Sequence, residues 1–226
     1  MGTQAGSRGR SRVARSAAAL DGVVVRRWIV GAAADIAVQR DFLTQLDAAI
    51  GDADHGVNMD RGFQAAVASF EATEEPPPGE LLRQVGATLM FRVGGAAGPL
   101  YGTAFREMGA FLGDAPAFGP EELLAAMRAA LDGVQSLGAA VEGDKTMVDA
   151  WLPAIGAFQE LRSGSIVDAT RRMREAAEAG AAATTPMQAR KGRASYLGPR
   201  SVGHQDPGAT SSAVILGALA RAVGAG

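Results

Sequence analysis

The 226-residue chain contains no cysteine. Disulfides, thiolate-bound zinc and a thiol nucleophile are thereby excluded. The composition suits a reducing cytoplasm, where the protein is expected to reside. Histidine occurs only at His55 and His204, too few for a zinc site without thiolates. Aromatic residues make up 5% of the chain, and period-two alternation of apolar residues is hard to find, which argues against a sheet protein. No apolar run approaches the ~20 residues that span a bilayer. The formal net charge is −2, so neither nucleic acid nor an anionic membrane is an expected partner. Lysine occurs only at Lys145 and Lys191, with arginine carrying the remaining positive charge. We read that as compositional bias.

What the chain does have is helical periodicity and an apolar fraction of 47%. Val25, Trp28, Ile29, Ala32 and Ile36 fall on one helix face, as do Leu123, Leu124, Met127, Leu131 and Val134. The spacing and the breakers predict eight helices, over 22–40, 57–73, 79–92, 99–112, 120–137, 146–162, 165–183 and 207–223. Abundant Ala and Gly permit close helix approach. The expected fold is all-α, a single closed barrel or bundle of eight antiparallel helices over residues 21–226. Residues 1–20, with Arg8, Arg10, Arg12 and Arg15 among Gly, Ser and Ala, read as a disordered extension rather than a targeting or nucleic-acid arm. Residues 184–206 lack apolar periodicity, and a long loop in a compact domain is usually functional or disordered. We expect a lid over a ligand.

The sharpest local signal is the run from Leu46 to Gly56, which holds Asp47, Asp52 and Asp54. Asp52 and Asp54 are two apart, so in an extended segment they point to one side. Gly51 and Gly56 allow tight turns, and Leu46 and Ile50 would tie the loop into a core. Like charges ~4 Å apart repel by about 4 kcal/mol at an effective dielectric of 20, a cost that a divalent cation removes. Magnesium suits an all-oxygen donor set with water and phosphate in the remaining positions. A calcium hand is excluded, because the twelfth position counted from Asp52 is Phe63 where a glutamate is required. A solvated acidic loop is the competing reading.

Val93 to Leu100 is a glycine-rich turn entering a helix near Pro99. Such a start can bind phosphate, although glycine turns before helices are common. Gly138 to Thr146 nearly matches a phosphate loop. Asp144 is inserted before Lys145, and no strand precedes the run, so that motif is rejected. Thr146 or Asp144 is expected to cap the sixth helix. Asp206-Pro207 reads as a cap followed by a first-turn proline. His204 is open between a phosphate-accepting or general-base role and plain hydrogen bonding.

Taken together, LTQLDAAIGDADHGVNMDRGF, VGGAAGPLYGTAF, GDKTMVDAWLPA and TPMQARKGRASYLGPRSVGHQDPGATSS resemble the L subunit of bacterial dihydroxyacetone kinases and the equivalent C-terminal domain of the single-chain, ATP-dependent enzymes. The resemblance spans residues 43 to 212. It implies an eight-helix barrel with ADP or ATP at one end beneath a lid. It also implies that Asp47, Asp52 and Asp54 hold two magnesium ions. By the same resemblance His55, Gly56, Val57 and Asn58 form a nucleotide-binding turn, and Ala96 and Ala97 meet the phosphates. Gly138 and Met147 lie near the base, while Arg193, Asp206, Pro207 and Gly208 complete the set, Arg193 with a catalytic role. The acceptor ketose would be held by a separate K subunit, and one class of the family is fed by a phosphohistidine carrier. The family commonly has serine where this chain has Ala97. A nucleotide-sensing regulatory module, or the nucleotide domain of another sugar kinase of the family, are the alternatives.

Overall fold

The computed structural model describes residues 19–70 and 76–225. The expected extension over 1–20 therefore lies almost wholly outside the described residues, as does the end of the helix expected over 57–73. Leu20 falls within the fold. It is buried, and with Asp21 it forms β1 (Leu20–Asp21), antiparallel to β2 (Ala117–Phe118).

Among the described residues, eight α-helices carry the fold: α1 (Gly22–Ile50), α2 (His55–Ala68), α3 (Pro78–Arg92), α4 (Ala97–Leu112), α5 (Pro120–Gly138), α6 (Val148–Leu161), α7 (Ile166–Ala183) and α8 (Pro207–Gly224). Each packs on the next, and α8 packs back on α1, so the helices close into a ring. Both apolar stripes read from the sequence are buried. At the centre, Phe105 packs against Trp28 (ring centroids 5.4 Å) and edge-on against Phe63 (6.1 Å). Trp28 Nε1 donates to the Ile215 carbonyl at 2.8 Å, which ties α1 to α8 where the ring closes. Small residues set the closest approach. A Cβ on Gly86 of α3 would stand 2.7 Å from the Gly102 carbonyl of α4.

Three boundaries differ from expectation in ways that matter for function. α1 runs to Ile50 rather than ending near residue 40. The polar stretch Gln39 to Asp41 looks like a terminus but is only the solvent face of a longer helix, whose inner face continues through Leu43, Asp47 and Ile50. Asp47 is thus a helix residue. α6 starts at Val148, and the loop before it is tied to its first turn. Asp149 accepts from Gly143 N (2.6 Å) and Thr146 N (2.8 Å), while the Thr146 hydroxyl accepts from Val148 N. Asp144 does not cap α6; it accepts from Val141 N. Finally, residues 184–206 are not structureless, because Arg193–Ser201 forms a 3-10 helix interrupted at Gly198 (φ 56°).

Candidate functional site

The ring arrangement brings the starts of α2, α4, α6 and α8 to one end, around a cleft lined by Asp54 and His55, Gly94 to Ala97, Thr146 and Met147, and Asp206 to Gly208. Exposed N–H groups and the partial positive charge of helix starts therefore converge on one volume. The last turn of α1 supplies Asp47, Ile50 and Gly51 to the same cleft. The 3-10 segment and its approach supply Lys191, Gly192, Arg193 and Ala194 from above. Ile50 is buried against Ala189 and Ala194, with Leu197 packed on them. It anchors the lid rather than the main core.

Asp47, Asp52 and Asp54 come together here, with one carboxylate oxygen from each lying within 4.8 Å of the others. The convergence comes from a turn, not from strand alternation. Ala53 takes a left-handed conformation (φ 62°), uncommon for a residue with a Cβ. Asp47 Oδ2 accepts from the backbone N–H of Asp54 (2.9 Å) and of His55 (3.1 Å), which fixes the turn against the end of α1. Asp54 makes no cap bond with its side chain, so its carboxylate is left for the cleft. Gly51 is required by packing, since a Cβ there would sit 2.0 Å from Asp47 Oδ1. The donor set consists of three hard anionic oxygens. That fits a small divalent cation with oxygen preference, such as magnesium. Arg193 reaches down from the lid and pairs with Asp52 at 3.1 Å.

Most of the other expected site residues also reach the cleft. His55, Asn58, Ala96, Ala97, Met147, Arg193, Asp206, Pro207 and Gly208 line it. Val57 is exposed on α2 and is not part of the lining, and Gly138 lies behind Leu100, which is. Gly56 acts through fit: a Cβ there would meet the Arg40 carbonyl at 2.0 Å. The exposed His204 does not line the cleft; its carbonyl accepts from Lys145.

Tyr101, Ser211 and Ser212 escape sequence reasoning, and they connect residues that it did find. Tyr101 on α4 is buried. Its hydroxyl donates to the Gly208 carbonyl (2.9 Å) and is hydrogen-bonded with Ser211 (2.7 Å) and Ser212 (2.8 Å). His55 Nε2 joins the same network through Ser211 at 2.9 Å. Burial pushes the Tyr101 hydroxyl pKa up. Burial also lowers the pKa of His55, outweighing the nearby Asp47 and Asp54 carboxylates, which act to raise it. Asn58 is buried beneath the Gly94 turn and accepts from Arg61 Nη2 (2.7 Å). Asp206 caps α8 by accepting from Ala209 N at 2.7 Å. Burial raises its pKa to about 7, against the opposing pull of the Ala209 N–H and Lys145.

Among the described residues no helix is long and apolar enough to cross a membrane. The DAK2 domain family matches over residues 49–221. The chain is 43% identical over 197 residues to the PEP-dependent dihydroxyacetone kinase, ADP-binding subunit DhaL, of Escherichia coli, covering 86% of this chain and 94% of that one. It is 38% identical over 194 residues to the PEP-dependent dihydroxyacetone kinase 1, ADP-binding subunit DhaL, of Listeria innocua (85% and 92%). The crystal structure of the dihydroxyacetone kinase of C. freundii, native form, superposes with a TM-score of 0.68 at 25% identity, over 98% of this chain; the chain spans 38% of that longer protein.

Proposed function

The chain belongs to the DAK2 domain family, and on that premise we propose that it is the ADP- and magnesium-binding subunit of a cytoplasmic dihydroxyacetone-type kinase, which passes a phosphoryl group to a ketose held by a separate K subunit. The observation that carries the proposal is the cluster of three carboxylates within 4.8 Å, set among converging helix starts beneath a lid arginine. The names of the Escherichia coli and Listeria innocua relatives support ADP as the resident nucleotide. Their dependence on phosphoenolpyruvate supports rephosphorylation by a carrier subunit.

In this reading Asp47, Asp52 and Asp54 hold two magnesium ions. When bound, magnesium neutralises phosphate charge and holds the phosphoryl group in line. The rest falls to the chain. The Gly94 to Ala97 turn and the start of α4 offer backbone N–H groups to phosphate oxygens, and Asp206 to Gly208 brings the start of α8 to the same volume. Met147 gives an apolar wall for the base. Arg193 moves from Asp52 to the phosphates as the lid settles, adding positive charge where negative charge builds up in transfer. The lid residues Ala189, Ala194 and Leu197 close over Ile50 and keep water out.

The test is phosphoryl transfer to dihydroxyacetone with this chain, a K subunit and a carrier combined. Activity is expected only in the complete mixture, with Asp52→Asn reducing it to background. Turnover by this chain alone would contradict the division of labour.

A further inference from the structure

Lys145 belongs to the stretch from Gly138 to Thr146 that nearly matches a phosphate loop, and the proposed reaction does not use it. It is nonetheless one of the most completely buried large side chains among the described residues. Its backbone is left-handed (φ 63°), a conformation unfavourable for a residue with a Cβ unless side-chain contacts hold it. Those contacts are three carbonyl oxygens. Nζ donates to Thr184 O (2.9 Å), to Met187 O (3.0 Å) and to His204 O. An ammonium group has three N–H donors, so all are used.

The three acceptors belong to the two ends of the lid. Thr184 and Met187 lie where the chain leaves α7, and His204 lies where it returns to α8. Neutral contacts close the same stem: Gly203 N donates to Thr185 O (2.8 Å), and Asp206 N donates to Thr184 Oγ1 (2.9 Å). Arg190 N donates to Asp144 O (3.1 Å), so residues 144 and 145 grip the lid from below with main chain and side chain alike. Burial lowers the Lys145 pKa, and the nearby Asp206 partly offsets this by favouring the ammonium. The next two residues, Thr146 and Met147, line the cleft.

We propose that Lys145 is a positioning residue that fastens both ends of the lid to the cleft wall, so that Arg193 and the Asp206 cap are held in register with the bound nucleotide. The inference rests on the proposed function for its effect on nucleotide, but not for its effect on the lid. Without the ammonium, three carbonyls and Asp206 lose their shared partner, and the lid stem opens. Residues 184–187 and 203–206 would then lose protection while the helical ring persists.

Two measurements test this. In the wild-type protein, hydrogen exchange should show the Thr184, Thr185, Met187, Gly203 and Asp206 amides, each hydrogen-bonded in the stem, well protected without nucleotide, with 193–200 exchanging faster. Uniformly fast exchange across 184–206 overturns the proposal, and this needs no variant to fold. In Lys145→Met, trypsin cleavage at Arg190, Lys191 and Arg193 should speed up by about tenfold or more, and the Kd for ADP with magnesium should rise by a similar factor, because charge-assisted hydrogen bonds are lost. The KM for the ketose should be unchanged, since the K subunit holds it. Adding Asp206→Asn to Lys145→Met should restore stability but not lid order. A Lys145→Met protein with wild-type lid cleavage and wild-type Kd sinks the inference. If the wild type binds no ADP yet Lys145→Met opens the lid, the proposed function fails and the clamp stands.

Discussion

Replacing Arg193 with glutamine should act in opposite directions on two assays. Arg193 pairs with Asp52 at 3.1 Å, and Asp52 is one of the three carboxylates proposed to hold magnesium. The guanidinium and the cation therefore compete for the same carboxylate. The side chains are 67% and 37% exposed, so solvent screens the pair strongly. An ion pair of that kind contributes about 0–1 kcal/mol, which sets an upper limit of about fivefold on the gain in metal affinity when it is removed. Magnesium binding without nucleotide, followed by calorimetry at low ionic strength, should therefore tighten modestly in Arg193→Gln, and the gain should shrink as salt is added. Phosphoryl transfer should fall by far more, about 100-fold or greater, if Arg193 stabilises charge in the transition state. Weaker metal binding in Arg193→Gln, or unchanged transfer, would refute the idea that one side chain serves both partners in turn.

Other substitutions probe neighbouring parts of the site. Gly51→Ala should push the Asp47 carboxylate aside and cost about 1–3 kcal/mol through its lost hydrogen bonds to Asp54 N and His55 N, with weaker magnesium binding in titration. Ala97→Ser places a hydroxyl in the lining at the start of α4 and should tighten ADP binding by about fivefold, equivalent to one added hydrogen bond of about 1 kcal/mol. Asp206 is held protonated to a higher pH in the folded protein than in the unfolded chain, with a pKa of about 7 against 3.8. The folded state thus binds the extra proton, and this contribution to stability is full below pH ~4 and is lost as pH rises through ~7. Asp206→Asn should flatten that part of the stability profile in denaturant melts from pH ~4 to ~8, while still capping α8.

The helix count, the two apolar stripes and the Asp206 cap were legible because each depends on local spacing. The carboxylate cluster was legible as composition, since three acids among glycines are conspicuous. How it forms was not. The end of α1 was hidden because a helix with one polar face looks the same over Gln39 to Asp41 as a helix that stops. The convergence of Asp52 and Asp54 depends on a left-handed alanine that no propensity favours. Tyr101, Ser211 and Ser212 give no signal, because a buried hydroxyl network joins α4 to α8 across more than a hundred residues of sequence. Lys145 was misleading for a related reason. Its neighbours imitate a phosphate loop, whereas its partners are the carbonyls of a lid 39 to 59 residues further along.

The most direct test is calorimetric titration of ADP into the protein with magnesium present, repeated with magnesium removed by chelation and repeated again with Asp52→Asn. A clear binding isotherm in the first experiment, and its loss in both others, is the expected result. Equal heats of binding with and without the cation would mean that Asp47, Asp52 and Asp54 do not assemble a metal site for nucleotide.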